Sequence, residues 1–251
     1  MTDRRGISPR KDANMLIIDH LDKHYKGTDK GVTDISIHVE PGDIYAFIGH
    51  NGAGKTTLLK AITGIHEFDR GSVVIDGIDL AKDPLEVKRR IAYIPDNPDI
   101  YEFLTGIQYL QMIADVFHVS AADRERRVAE YAERLEITGA LGDLISSYSH
   151  GMKQKLVIIS ALLHAPKLLV MDEPFVGLDP KAAFVLKELM REMTADGRAI
   201  FFSTHVLEVA EKLCNKVAII RDGRIIANGR MEEVVKEGTT LEELFMETTE
   251  A

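Results

Sequence analysis

Residues 49–56 read Gly-His-Asn-Gly-Ala-Gly-Lys-Thr. This is the spacing G-x-x-x-x-G-K-T, and phosphate chemistry asks for those residue types. Glycines let a loop wrap with its N–H groups turned inward, which makes a nest for an anion. A helix starting directly behind the loop adds positive potential. Lys55 brings a point charge to the β- and γ-phosphates, and the hydroxyl of Thr56 is placed to ligate Mg2+. The bland alternative is a glycine turn before a helix. The context favours phosphate binding, because the apolar run Asp43–Ile48 precedes the loop and a helical pattern from Lys55 to about Thr63 follows it.

A second apolar run, Leu168–Met171, ends in Asp172 and Glu173. In a doubly wound sheet, ligands sit at the carboxyl ends of strands. Asp172 is therefore placed to hold Mg2+ through water, and Glu173 to orient or deprotonate an attacking water. Taken alone, the pair is equally an acidic turn. A third run, Ala199–Ser203, leads to His205, which alone reads as a helix cap or surface residue, and which could reach the γ-phosphate if the strands are neighbours.

The elements that must position these groups follow an α/β pattern. Short strand-like runs at Met15–Ile18, Ile35–Val39 and Ser72–Ile75 alternate with turns, and a hairpin is expected at Val217–Asn228, turning on Asp222-Gly223. Residues 85–160 change character, since Ile107–Phe117 and Ala121–Leu135 have helical periodicity. This segment is expected to be an all-helical lobe. Pro180 opens a helix reaching about Thr194, and the tail from Arg230 is helical and acidic. Residues 1–13 are polar and expected to be mobile.

Composition narrows the class. With 45% hydrophobic and 28% charged residues among 251, the chain can bury the core of one large α/β domain or of one domain with an inserted lobe. A formal charge of -9 weighs against nonspecific nucleic-acid binding without excluding local basic patches. One cysteine, Cys214, allows no internal disulfide, which fits a reducing compartment. No signal peptide is evident, and the most apolar window, Leu156–Met171, is interrupted by His164, Pro166 and Lys167, too soon to span a bilayer.

Gly49–Thr57, Tyr148–Gln154, Leu168–Glu173, Gly177–Pro180 and His205 occur in the order and approximate spacing of the ATP-binding cassette ATPases. The resemblance covers about residues 14–235. It implies a P-loop NTPase (RecA-like) core with an N-terminal antiparallel β-subdomain and an inserted helical subdomain. The expected cassette spans 14–238, with its core in about 14–84 and 161–238 and its helical subdomain in about 85–160. It implies Mg2+-dependent ATP hydrolysis, with ATP held by Asn51, Gly52, Ala53, Gly54, Lys55, Thr56 and Thr57, and Tyr25 stacking on adenine. In the family two cassettes close head to tail, so Ser149 and Gly151 would grip the γ-phosphate bound to a partner. Glu173 would be the base, His205 the γ-phosphate sensor, and Asp179 a residue that communicates across the dimer. The partners implied are a second cassette, as a homodimer, and a separate transmembrane permease. The place implied is the cytoplasmic face of the membrane, and the chain looks more like a bacterial exporter-type cassette than a sugar importer.

Three positions depart from the family pattern. His150 stands for the first glycine of the signature, and Met152 for its glutamine. Asp96 stands where the family has a glutamine that ligates Mg2+. A carboxylate also suits Mg2+ but adds negative charge near the γ-phosphate; alternatively Asp96 faces solvent and water completes the metal shell. Taken alone, Tyr25 is a surface aromatic and Ser149 a helix cap. A soluble cassette acting on nucleic acid or ribosomes fits poorly, because such relatives carry two cassettes or a long coiled coil. A GTPase would show N-K-x-D, whereas Asn215-Lys216 runs into Val217-Ala218.

Overall fold

The computed structural model describes residues 14–27, 30–236 and 238–250, with side chains described to residue 246. Residues 1–13, read above as mobile, lie outside the described residues. The chain alternates strands and helices around two sheets. The strands are β1 (Leu16–His24), β2 (Gly31–Val39), β3 (Ile44–Ile48), β4 (Arg70–Ile75), β5 (Ile78–Asp79), β6 (Ile91–Ile94), β7 (Leu168–Asp172), β8 (Ala199–Thr204), β9 (Lys216–Arg221) and β10 (Arg224–Arg230). The helices are α1 (Lys55–Ile62), α2 (Pro84–Arg90), α3 (Gly106–Val116), α4 (Ala121–Arg134), α5 (His150–Leu162), α6 (Pro180–Ala195), α7 (Leu207–Leu213), α8 (Met231–Val234) and α9 (Leu241–Glu250).

One sheet has the order β2-β1-β4-β5 and is antiparallel throughout. The other has the order β10-β9-β3-β8-β7-β6, parallel except for β10. Every residue of β3, β7 and β8 is buried, as expected for central strands covered on both faces. Alternation along β3 splits the interior in two. Ile44, Ala46 and Ile48 face the core shared with α3 to α6, while Tyr45 and Phe47 face the core shared with β1, β2 and α1. Tyr45, Phe47 and Phe201 pack ring on ring in that second core, with centroids 5.4 and 5.8 Å apart.

Between β6 and β7 the chain forms α3, α4 and α5. Their starts are fixed by side chains taking up free helical N–H groups: Thr105 and Gln108 form a reciprocal capping box, and Ser120 and Ser149 cap α4 and α5. The expected helical character of 85–160 needs one correction. Ile91–Ile94 is the edge strand of the parallel sheet, in register with Leu168–Met171. The run Ile-Ala-Tyr-Ile is only four residues long and stops at Pro95, too short for periodicity to separate strand from helix.

The ring of His164 stacks on Phe117 at 3.8 Å, and its Nε2 lies 2.8 Å from the carbonyl of Ile91. Burial holds this imidazole below its ordinary value of 6.5; the Ile91 carbonyl opposes that shift and Arg127 adds to it. A folded pKa below the unfolded one means that protons favour the unfolded chain. The stability due to a neutral His164 is complete above about 6.5 and is lost as pH falls through the folded value. His164→Phe keeps the stack and removes the titration. Chemical denaturation at about pH 7.5 and about pH 5.5 is expected to show a smaller acid-side loss in the variant than in the parent chain.

Candidate active site

Three neighbouring strands set the site. Ile48 pairs with Thr204, and Asp172 pairs with Ser203, so β3, β8 and β7 end level with one another. The chain leaves them as the phosphate loop, His205 and Glu173. Because β8 lies between β3 and β7, His205 sits between the other two.

The phosphate loop is held by packing on its outer side. The Ala53 N–H donates to the His50 carbonyl at 3.1 Å, and the Ala53 carbonyl accepts from Gly223 in the β9–β10 turn at 3.0 Å. Gly54 has φ +109, and a Cβ there would come 2.7 Å from Val32 and 3.0 Å from the Gly31 carbonyl. Only glycine satisfies both the angle and the space. α1 starts on this residue with no side-chain cap, which leaves its first N–H groups for a ligand.

Lys55 is almost wholly buried. Its Nζ donates to the Gly49 carbonyl at 2.6 Å and lies 3.4 Å from that of His50. The carboxylate of Glu173 stands opposite, with Oε1 3.3 Å from Lys55 Nζ. Oε1 accepts no directed hydrogen bond, so this is a contact of charges. Oε2 accepts from the His205 N–H at 3.2 Å and lies 2.9 Å from His205 Nδ1. Glu173 adopts a left-handed conformation, φ +48, which is uncommon outside glycine and costs energy. Its N–H compensates by donating to Ser203, to the carbonyl at 3.2 Å and to Oγ at 3.1 Å.

Asp172 is 2% exposed and accepts two hydroxyl hydrogen bonds, from Thr56 at 2.6 Å and from Ser203 at 2.5 Å. Ser203 had no role in the sequence reading; its only signal was a polar residue near the end of an otherwise apolar strand. Asp96 lines the same pocket as Tyr25, Asn51, Gly52, Thr57 and Asp172. Burial raises its carboxyl above the usual range, and the charges of Asp172 and Glu173 raise it further. The donors Thr56, Asp172 and Asp96 are all oxygen, which suits a hard cation such as Mg2+. Tyr25 meets His66 edge to face at 6.0 Å at the pocket rim.

Ser149, Gly151 and Asp179 are not among the residues that line this pocket. Ser149 caps α5 by accepting from the Met152 N–H at 3.3 Å. The start of α5 rests on the loop after β7: a Cβ on Gly151 would come 2.9 Å from the Gly177 carbonyl. Asp179 caps α6 through the Ala182 N–H at 2.8 Å and pairs with Lys155 of α5 at 2.7 Å. Lys155, and behind it the capped N–H, hold the Asp179 carboxyl below its ordinary range. Lys155 is a second residue that the sequence reading left without a role.

The ABC transporter family profile matches residues 32–176, more than half of the chain. The chain belongs to the ABC transporter ATP-binding family. It is 34% identical over 220 residues to the ABC-type transporter ATP-binding protein EcsA of Bacillus subtilis, covering 86% of this chain and 89% of that one. It is 32% identical over 215 residues to the linearmycin resistance ATP-binding protein LnrL of the same organism, covering 86% and 69%. A solved structure described as the ATP binding subunit of an ABC transporter superposes with a TM-score of 0.89 at 37% identity, covering 94% of this chain and 99% of that one. The fold is thus the P-loop cassette expected from the motifs, and the chain is an ABC ATPase. No described helix is long and apolar enough to cross a membrane.

Ser203→Ala removes one donor from buried Asp172 and one acceptor from the Glu173 N–H. Urea unfolding is expected to show a loss of about 1–3 kcal/mol, the usual cost of stranding a buried polar group.

Proposed function

We propose that this ABC ATPase hydrolyses Mg2+-ATP in the pocket at the ends of β3, β7 and β8 and drives transport through a separate transmembrane permease. The observation that carries the reading is the convergence of Lys55, Glu173 and His205 beside the Thr56–Asp172 pair. These are the groups that phosphoryl transfer to water requires: a cation for the phosphates, metal-binding oxygens, and a carboxylate that can take a proton.

The phosphates enter the nest of residues 49–57, and Tyr25 stacks on the adenine. Lys55 leaves Glu173 for the β- and γ-phosphates, which carry more charge than one carboxylate. Thr56 and Asp172 would hold Mg2+, with Asp96 a further carboxylate in the same pocket. Bound there, the ion would supply positive charge to the phosphates. Glu173, freed from Lys55, takes a proton from the attacking water, while His205 orients Glu173 and senses the γ-phosphate.

Ser149 and Gly151 serve the site of a second copy. In a head-to-tail homodimer they place a hydroxyl, a backbone N–H and the start of α5 against its γ-phosphate. Asp179 follows the same movement, because Lys155 ties it to α5. The dimer works at the cytoplasmic face of a membrane, held there by the permease. A cavity of about 350 Å³ between α5, β6 and α3 suits a cytoplasmic helix of that subunit. Pro98, Asp99 and Ile100 line it, beginning two residues after Asp96, so a helix seated there is coupled to the nucleotide pocket. The exposed rings of Tyr101 and Phe103, 5.8 Å apart, extend that apolar surface. Outward transport fits the resistance role named for one relative.

Two substitutions separate binding from chemistry. Glu173→Gln is expected to keep nucleotide affinity, lower the hydrolysis rate by about 10²–10⁴-fold and accumulate a dimer in size-exclusion chromatography with ATP. Wild-type turnover in that variant would exclude Glu173 as the base. Lys55→Ala is expected to weaken nucleotide binding itself, measured by equilibrium titration.

A further inference from the structure

The acidic tail has no part in the chemistry above, yet it returns to the phosphate loop. α9 is a built helix: Thr240 and Glu243 cap it reciprocally, with N–H to side-chain distances of 2.9 and 3.1 Å. Its first residue, Leu241, is fully buried, and the Leu241 N–H lies 3.3 Å from Glu211 of α7. α7 starts two residues after His205. One turn further along α9, the half-buried ring of Phe245 lies 5.4 Å from the imidazole of His50, with the planes at 60°.

His50 is the second residue of the phosphate loop. Its carbonyl accepts the Ala53 N–H at 3.1 Å and faces Lys55 Nζ at 3.4 Å. The His50 peptide therefore has to keep one orientation for the loop to stay wrapped and for Lys55 to stay placed. An exposed imidazole cannot fix that orientation by itself; a ring packed against it can.

We propose that α9 is a strap across the site, in which Phe245 is a positioning residue that holds His50 and through it the phosphate loop and Lys55. The first residue of the strap rests on the helix that follows His205, and its fifth on the loop that precedes Lys55. It therefore fixes the spacing between the two groups that flank Glu173. The inference rests on the reading of this pocket as the nucleotide site.

The test uses the full chain and a fluorescent ADP analogue, with steady-state ATP hydrolysis measured in parallel. Phe245→Ala is expected to raise the Kd for the analogue about three- to tenfold, the range for losing one aromatic pair. KM is expected to rise with it and kcat to change little, because the strap shapes the empty loop and touches no reacting atom. Phe245→Tyr, which keeps a ring, is expected to restore affinity, while Phe245→Leu, which keeps apolar bulk to protect folding, is not. His50→Ala is expected to weaken binding by a similar factor, with no further loss when combined with Phe245→Ala. A lower Tm with unchanged Kd in Phe245→Ala would overturn the proposal by leaving α9 a purely structural role. Additive losses in the double variant would overturn the link through His50. Lys55→Ala separates the two readings. If it retains affinity, the nucleotide site is misplaced; if it loses affinity while Phe245→Ala binds normally, only the strap fails.

Discussion

A lysine ammonium has to be kept in a nearly dry pocket, close to the end of a buried strand. Lys55 meets this constraint with two backbone carbonyls and a carboxylate, since burying a charge without such partners is prohibitively costly. Much of the architecture serves that arrangement. The carbonyls come from a loop that only tight packing against Val32, Gly31 and the β9–β10 turn can hold. The carboxylate comes from a strained residue that Ser203 and His205 restrain. Both depend on β3, β8 and β7 ending level. The opposite end of β3 is pinned too, where Asn215 accepts from the Ile44 N–H and, with Lys216, grips Asp43.

The same site holds three negative groups, unequally partnered. Asp172 is matched by two hydroxyls and Glu173 by Lys55 and His205. Among the described residues Asp96 has no comparable partner, and its carboxyl is raised first by burial and then by the charges of Asp172 and Glu173. A family glutamine at that place would carry no charge. The substitution makes the pocket more demanding of a cation, and the nearness of His150 and His205, which pull the Asp96 carboxyl the other way, partly offsets it.

Most of this was legible in the sequence where a local rule sufficed. The phosphate loop, the two acidic residues that end Leu168–Glu173, the cap at Ser149 and the proline opening α6 are each dictated by a few adjacent residues, and the structure has them there. What escaped depends on neighbours distant in the chain. β6 is a strand because β7 pairs with it, and its four residues carry no pattern of their own. Ser203 matters only because β8 lies beside β7 in a register that puts it next to Asp172. Lys155 reads as one more charge on a helix until Asp179 is found against it. The return of α9 to the phosphate loop is a contact across nearly two hundred positions that no local signal announces.

His150 bears directly on the glycine it packs over. Its ring lies over Gly177, so closely that a Cβ on that glycine would come 2.5 Å from the imidazole, and Gly177 already holds φ +79. The two positions are therefore unequal in what they permit. Position 150 can shrink and leave a gap that solvent fills, whereas growth at position 177 has to displace the imidazole and is strained by the backbone angle in any case. The imidazole thus adds a steric reason to a conformational one for keeping glycine at 177.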